Sequence, residues 1–543
     1  MNQPDEKLPP NSFRKQVSSS PYTPFIYALI LAFGVVLGFV VNTITNGKQT
    51  IARGSYDKIL DILNYVDVKY VDTINRTQLM DKTIDKMLSN LDPHSVYIPA
   101  SDLSETNESL EGNFEGVGIE FFIVQDTITV VTAISGGPSE TVGIKAGDRI
   151  IKINDSIVAG IKIKDTEVKH RLRGPKATKV NVSILRSGMS KLLDFEITRA
   201  QIPLYSIEAA FMLNAEVGYI RINTFSSTTH KEFVQKFSAF KEKGLKKLVL
   251  DLRDNPGGYL QAATMLADEF IPGERLLVYT KGKAYERQDY LANKEGLFEK
   301  GDLVVLINQG SASASEILAG AVQDWDRGTI IGRSSFGKGL VQEQYELRDG
   351  SAIRLTIARY YTPSGRSIQR SYEKGNEEYY NDIYERYMRG EFVHEDSIHS
   401  KDTTVYKTSK GRRVYGGGGI RPDIFVPIDT SGENEGFYTL LSSAREFVYK
   451  YFSQHAEKLS SYKTKENFST QFEVTSEMMN DFYAFAEAKG LKRDAVKEKK
   501  YEAKLKLNLK AFIAKQLWKM DGYYYIANTD DKVLKVALDK LAN

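Results

Sequence analysis

The chain has no cysteine among its 543 residues, which excludes disulfide bonds and thiolate metal sites. Its six histidines (His94, His170, His230, His394, His399 and His455) show neither the His-Glu-x-x-His spacing of a helical zinc pair nor a recognisable serine–histidine–aspartate arrangement. The residues therefore point to no metal and no cofactor. An excess of one charge is also missing: 73 Lys and Arg against 70 Asp and Glu leave a net charge of +3, which argues against a nucleic-acid partner. Long apolar runs are absent apart from one. Residues 25–41 carry no charge and lie inside an uncharged stretch over 18–47, at the lower end of what crosses a bilayer. The leader before this run is long for a signal peptide, and no small-x-small cleavage site follows it, so the pattern predicts an uncleaved anchor. Orientation stays open, because Lys7, Arg14 and Lys15 before the run balance Lys48, Arg53 and Lys58 after it.

The chemistry-bearing residues lie farther on. The apolar run Leu303-Val304-Val305-Leu306-Ile307 reads as a buried strand. It ends in the small-residue turn Gly310-Ser311-Ala312-Ser313-Ala314-Ser315-Glu316, after which a helical pattern begins. Ser313 then sits at a helix N-terminus with Glu316 at capping-box spacing, and the free N–H groups of the first turn would face an oxyanion formed at Ser313. A serine hydroxyl needs a base, and with no histidine arranged for that task a lysine is the remaining candidate. Lys338, in Gly332-Arg333-Ser334-Ser335-Phe336-Gly337-Lys338-Gly339, follows a strand-like segment between two glycines that allow close packing. An amine working near neutral pH must have its pKa lowered by roughly three units, about 4 kcal/mol, through desolvation or neighbouring charge. Gln342 lies four residues on, where it could hold the amine. Residues 332–338 also match most of a phosphate-binding loop, but glycine stands at 339 where that loop needs Ser or Thr. Taken alone, a small-residue serine turn before a helix is usually only a cap.

These motifs together resemble those of the carboxyl-terminal processing, or tail-specific, proteases. The resemblance covers residues 56–427. It implies Ser313 as nucleophile, Lys338 as general base and Gln342 as the residue orienting the lysine. A further shared motif is Asp251-Leu252-Arg253-Asp254-Asn255-Pro256-Gly257-Gly258. In the family this turn supplies an oxyanion-hole N–H, here Gly257 or Gly258, with Ala314 as the second donor. The family fold implied is an α/β catalytic domain of crotonase/ClpP-like spiral form.

The organisation read along the chain is a cytoplasmic leader over 1–23, a transmembrane anchor over 24–45, a helical arm over 50–104, a β-rich domain over 112–199, a catalytic domain over 200–430 and a helical region over 431–543. The β-rich stretch resembles an inserted PDZ domain, in which the N–H groups of Gly116, Val117, Gly118 and Ile119 would hold a chain-terminal carboxylate. Arg173 aligns loosely with a position coupling that domain to the active site in some relatives. His94 is read as satisfying local hydrogen bonds, and residues 373–413 as a surface insertion. The resemblance implies an endopeptidase of the bacterial inner membrane, single-pass, with its catalytic part in the periplasm or cell envelope. Its substrates would be proteins with exposed apolar C-terminal tails. An adaptor or activating lipoprotein and a homodimer, for which Gly34 and Gly38 offer close helix packing, are left open. The alternative is a PDZ adaptor that binds tails without cutting them.

Overall fold

The computed structural model describes residues 22–47, 50–134, 136–398, 404–430, 435–491 and 495–543. Nearly all of the leader expected over 1–23 lies outside the described residues. The chain divides into two compact units, residues 1–82 and 83–543. In the first unit one helix runs over Thr23–Gly47 and a second over Thr50–Lys69. Phe25, Leu29, Leu31 and Phe33 of the first helix are exposed. Among the described residues, no helix is long and apolar enough to cross a membrane.

Outside the β-rich domain, the second unit is built around two sheets. The larger has the strand order Ile207–Met212, Val217–Ile222, Lys247–Asp251, Asp302–Ile307, Thr329–Gly332, Ile424–Phe425. Only its first pair is antiparallel; the remaining neighbours run parallel. Strands covered on both faces must be apolar throughout, which explains the unbroken run Leu303 to Ile307. Leu248, Leu250, Leu303, Val305 and Ile307 face one core, shared with Phe233, Phe237, Leu266 and Leu318 of the covering helices. Val249, Val304, Leu306 and Ile331 face a second core, closed by Val533, Leu534, Ala537 and Leu541 of the last helix, Lys532–Ala542. The aromatic stripe of the helix Thr229–Glu242 is thus core, as its spacing predicts.

The smaller sheet is antiparallel and centres on Ala352–Tyr361, which pairs with Val96–Ile98, with Leu276–Lys281 and with Leu340–Glu346. The last pairing is a hairpin. Its register shifts between Val341 and Gln342, a bulge of the kind that re-aims a side chain beside a site.

The β-rich domain enters and leaves through one ladder, in which Asn113–Gly116 pairs with Ala200–Pro203. Between them, Ile119–Val124, Thr127–Ala133, Arg149–Ile153, Lys179–Leu185 and Leu193–Thr198 form an antiparallel sheet with its own core of Ile128, Val130, Ile150, Val182 and Ile184. The C-terminal region is helical, as expected, over Glu435–Ser460, Lys465–Gln471, Ser476–Ala488, Ala495–Ala527 and Lys532–Ala542. Residues 373–413 are more than a surface insertion. They contain the helix Asn376–Met388, whose Tyr379 and Arg386 are buried.

Phe237 has no exposed surface and packs against Phe233 and Phe298. Phe237→Ala is expected to lower stability by about 3–5 kcal/mol through lost burial and the cavity left behind, read as a lower midpoint in urea unfolding.

Candidate active site

Ser313 directly precedes the helix Ala314–Asp324 with φ 55° and ψ −113°. That left-handed backbone is costly for a residue with a Cβ and persists only where its surroundings fix it. Glu316 does the fixing. Its carboxylate is fully buried and accepts four hydrogen bonds. Oε2 takes the N–H of Ser313 at 2.8 Å and of Lys338 at 2.9 Å, while Oε1 takes the Ser335 hydroxyl at 2.5 Å and the Gly337 N–H at 2.7 Å. One side chain therefore ties the serine turn to the lysine loop. Phe336 N–H to the Ser311 carbonyl, 2.9 Å, is a second tie. Tyr360 is a third, donating its hydroxyl to the carbonyls of Ser313 at 3.1 Å and Lys338 at 2.6 Å.

Burial pushes the Glu316 carboxyl up to about 7, against the hydrogen bonds that favour its ionised form. Burial also brings the Lys338 amine down to about 8, with the Arg354 guanidinium acting in the same direction and the carboxylates of Glu316 and Asp92 opposing. Ser313 and Glu316 form a capping box, and among the described residues no side chain or carbonyl accepts a hydrogen bond from the Lys338 amine.

The turn over residues 251–258 lies against Ser313. A Cβ on Gly257 would stand 2.8 Å from that of Ser313 and 2.9 Å from the Ala314 nitrogen, and one on Gly258 would strike the Phe225 carbonyl at 2.1 Å. Only glycine fits either place. Of the two glycines open in the sequence as oxyanion donors, Gly257 donates its N–H to Asn255 Oδ1 at 2.9 Å. The N–H groups of Gly258 and Ala314 have no acceptor among the described residues. Asn255 joins this turn to the serine turn, its carbonyl accepting from Ala312 N–H at 2.9 Å and Ser315 Oγ at 3.0 Å.

Gln342 does not bond to Lys338 here. Its amide donates to Thr356 Oγ1 at 3.2 Å, and that hydroxyl donates to Asp92 Oδ1 at 3.0 Å. Asp92 also accepts the N–H groups of His94 and Ser95 and the Ser95 hydroxyl. The motif Asp92-Pro93-His94-Ser95 thus reaches the lysine pocket, which sequence reasoning missed. His94 Nε2 lies 2.8 Å from Tyr379 Oη. Burial, then the nearby Lys338 charge, lowers its pKa to about 3, so its imidazole is neutral at physiological pH. The signal was present in the polar cluster closing a helix, but nothing local says that it packs against residues 250 positions away.

In the β-rich domain Gly118 has φ 72°. Val117 and Gly118 turn their carbonyls inward, to Ser139 and Ile134 respectively, and their N–H groups have no acceptor among the described residues. Arg173 pairs with Glu108 at 2.7 Å and Glu105 at 3.5 Å and lies over the Phe114 ring. It thereby links this domain to the helix Ala100–Glu111 rather than to Ser313 or Lys338. Among the described residues, no cluster of His, Cys, Asp or Glu could hold a metal ion.

A model of peptidase family S41 matches residues 216–376, the stretch carrying the Gly257-Gly258 turn, Ser313, Lys338 and Gln342. A carboxy-terminal-processing protease of Bartonella bacilliformis is 36% identical over 351 residues, which cover 64% of this chain and 79% of that protein. The chain belongs to this family. It is a serine-type peptidase of the carboxy-terminal processing group. Among solved structures, a photosystem II D1 C-terminal processing protease is 32% identical, covering 56% of this peptidase and 83% of that chain with a TM-score of 0.33. A PDZ domain of a carboxy-terminal protease from Vibrio cholerae, in complex with peptide, is 27% identical, covering 17% of this peptidase and 99% of that chain with a TM-score of 0.16. A second model, described as a family of unknown function (DUF8443), matches residues 440–519 of the peptidase.

Glu316 gives a test of this geometry. With its carboxyl raised from 4.5 to about 7, the native state holds a proton that the unfolded chain has released. This contribution to stability is full below pH 4.5 and is lost as pH rises through 7. The stability of the peptidase relative to Glu316→Gln should therefore fall by roughly 3 kcal/mol between pH 5 and 8. A difference independent of pH in urea titrations would contradict it.

Proposed function

We propose that this peptidase captures the C-terminal tail of a protein substrate on its β-rich domain, read as PDZ, and cuts the substrate with a Ser313–Lys338 dyad. The observation that carries the reading is the buried Glu316 carboxylate, one oxygen of which accepts both the Ser313 and Lys338 N–H groups. This puts a strained serine and a lysine of lowered pKa on one fixed frame. Ser313 Oγ attacks the scissile carbonyl as the neutral Lys338 amine takes its proton. The N–H groups of Gly258 and Ala314 stabilise the oxyanion. The resulting ammonium returns the proton to the leaving amine, and water then releases the acyl group with the lysine again as base. Gln342, held through Thr356 and Asp92, sits on the bulge beside the lysine loop and orients the amine once substrate closes the site.

The open N–H groups of Val117 and Gly118 support capture of a terminal carboxylate, with an apolar tail pairing along the edge of Ile119–Val124. Arg173, ion-paired to Glu108, carries the bound state toward the helix Ala100–Glu111. We read the sheet with its covering helices as the crotonase-like spiral. We also read residues 24–45 as an inner-membrane anchor, supported by the charge-free sequence 25–41 on one continuous helix. The substrates would then be cell-envelope proteins.

Two measurements test this. A full-length enzyme incubated with a loosely folded protein bearing an apolar tail should cleave it; Ser313→Ala and Lys338→Ala should each lose at least about a thousandfold in kcat, and amidating the tail should raise KM. Tail binding without turnover by the unaltered chain would favour the adaptor reading instead. The base must be neutral to act, so kcat/KM should climb about tenfold per pH unit up to a pKa near 8 and level off above it. A profile flat from pH 6 to 9 would remove Lys338 as the base.

A further inference from the structure

The turn that carries Gly258 is held on its far side by charge. Asp251 has no exposed surface. It accepts from the Tyr219 hydroxyl at 2.7 Å, from Arg221 at 3.0 Å and from Arg253 at 2.6 Å. Two guanidinium groups thus converge on one buried carboxylate, and a buried cation without a full partner is costly. The structure supplies three more carboxylates, the first being the exposed Asp254, 3.5 Å from Arg221. Glu208 meets Arg221 at 3.3 Å. Asp531, from the C-terminal region, meets Arg253 at 2.7 Å.

Asp531 divides its oxygens between two tasks. Oδ1 accepts the N–H groups of Val533 and Leu534 at 2.9 and 3.0 Å, capping the last helix. Oδ2 takes Arg253. The same region grips the sheet at further points. The Tyr524 hydroxyl donates to Glu208 at 2.9 Å while its ring lies 4.8 Å from the Arg221 guanidinium, and Asp521 accepts the Ala210 N–H at 2.8 Å. Arg253 stands two residues before Asn255, whose side chain and carbonyl hold Gly257 and the serine turn.

We propose that Asp531 is a positioning residue for the hydrolysis, acting through Arg253 to fix the turn that presents the Gly258 N–H to the oxyanion. This rests on the dyad and oxyanion reading given above, and it makes the C-terminal helical region a working part of the active site. Charge-assisted pairs of this kind are strong and directional, and an oxyanion donor displaced by a fraction of an ångström loses much of its effect.

The test uses the full chain with the variants Asp531→Asn, Asp531→Glu and Ser313→Ala. Asparagine retains an oxygen for the helix cap but turns an amide toward Arg253, so it separates the cap from the ion pair. Asp531→Asn should lower kcat by about tenfold or more and slow labelling of Ser313 by a fluorophosphonate in the same proportion, with KM within about twofold because the tail is held elsewhere. Asp531→Glu, which restores the carboxylate, should recover most of the loss. An unchanged kcat in Asp531→Asn overturns the proposal. So does a loss that glutamate does not restore and that tracks a lowered urea midpoint, since that is a purely structural effect. If Ser313→Ala cuts as well as the unaltered chain, the dyad reading itself has failed, which is a different result.

Discussion

A buried carboxylate that accepts four hydrogen bonds sets the site. Glu316 lies on the first turn of the helix after the serine, where the partial positive charge of the helix N-terminus favours an anion. Burial opposes that anion and keeps its pKa near neutrality. The four donors come from the serine turn and the lysine loop, segments about twenty residues apart in sequence. The unusual backbone of Ser313, the placement of Lys338 and the buried Ser335 hydroxyl all follow from satisfying one side chain. Its neighbour Lys338 is desolvated by the same packing, so a single buried corner produces both the frame and, in the proposed mechanism, the base.

Around that corner the peptidase adds three outer supports. Residues 91–98, with Val96–Ile98 paired to Ala352–Arg354, bring Asp92 to Thr356 and so to Gln342. The helix Asn376–Met388 inserts Tyr379 between His94 and the Arg370 guanidinium, which lies 3.9 Å from its ring. The C-terminal region closes the second face of the large sheet with an apolar helix and reaches Arg253 with Asp531. Each support comes from a part of the chain distant from Ser313, and each acts on a different component: the Lys338 pocket, the loop beneath it, or the Gly257-Gly258 turn.

What could be read from the sequence follows from how local each signal is. The strand before Ser313, the helix after it, the glycines around Lys338 and the Pro-Gly-Gly turn are all short-range patterns, and all stand where the pattern puts them. The bulge that turns Gln342 toward Thr356 was not legible, since register is a property of two strands together. The Gly257 N–H looked available because its acceptor, the side chain of Asn255, is defined only by the conformation of the turn. His94, Asp92, Tyr379 and Asp531 were not legible as site-bordering residues. Their partners lie hundreds of positions away, and a tyrosine-rich charged stretch gives no sign of which ring will be buried.

In the proposed mechanism burial, rather than a histidine relay, makes Lys338 a base near neutral pH. The most direct test is an NMR titration of the Lys338 side chain in protein labelled at lysine, with assignment by Lys338→Arg. The account predicts a midpoint near pH 8, displaced from the remaining lysines. A midpoint above 10, the value of an ordinary solvated lysine, would contradict it.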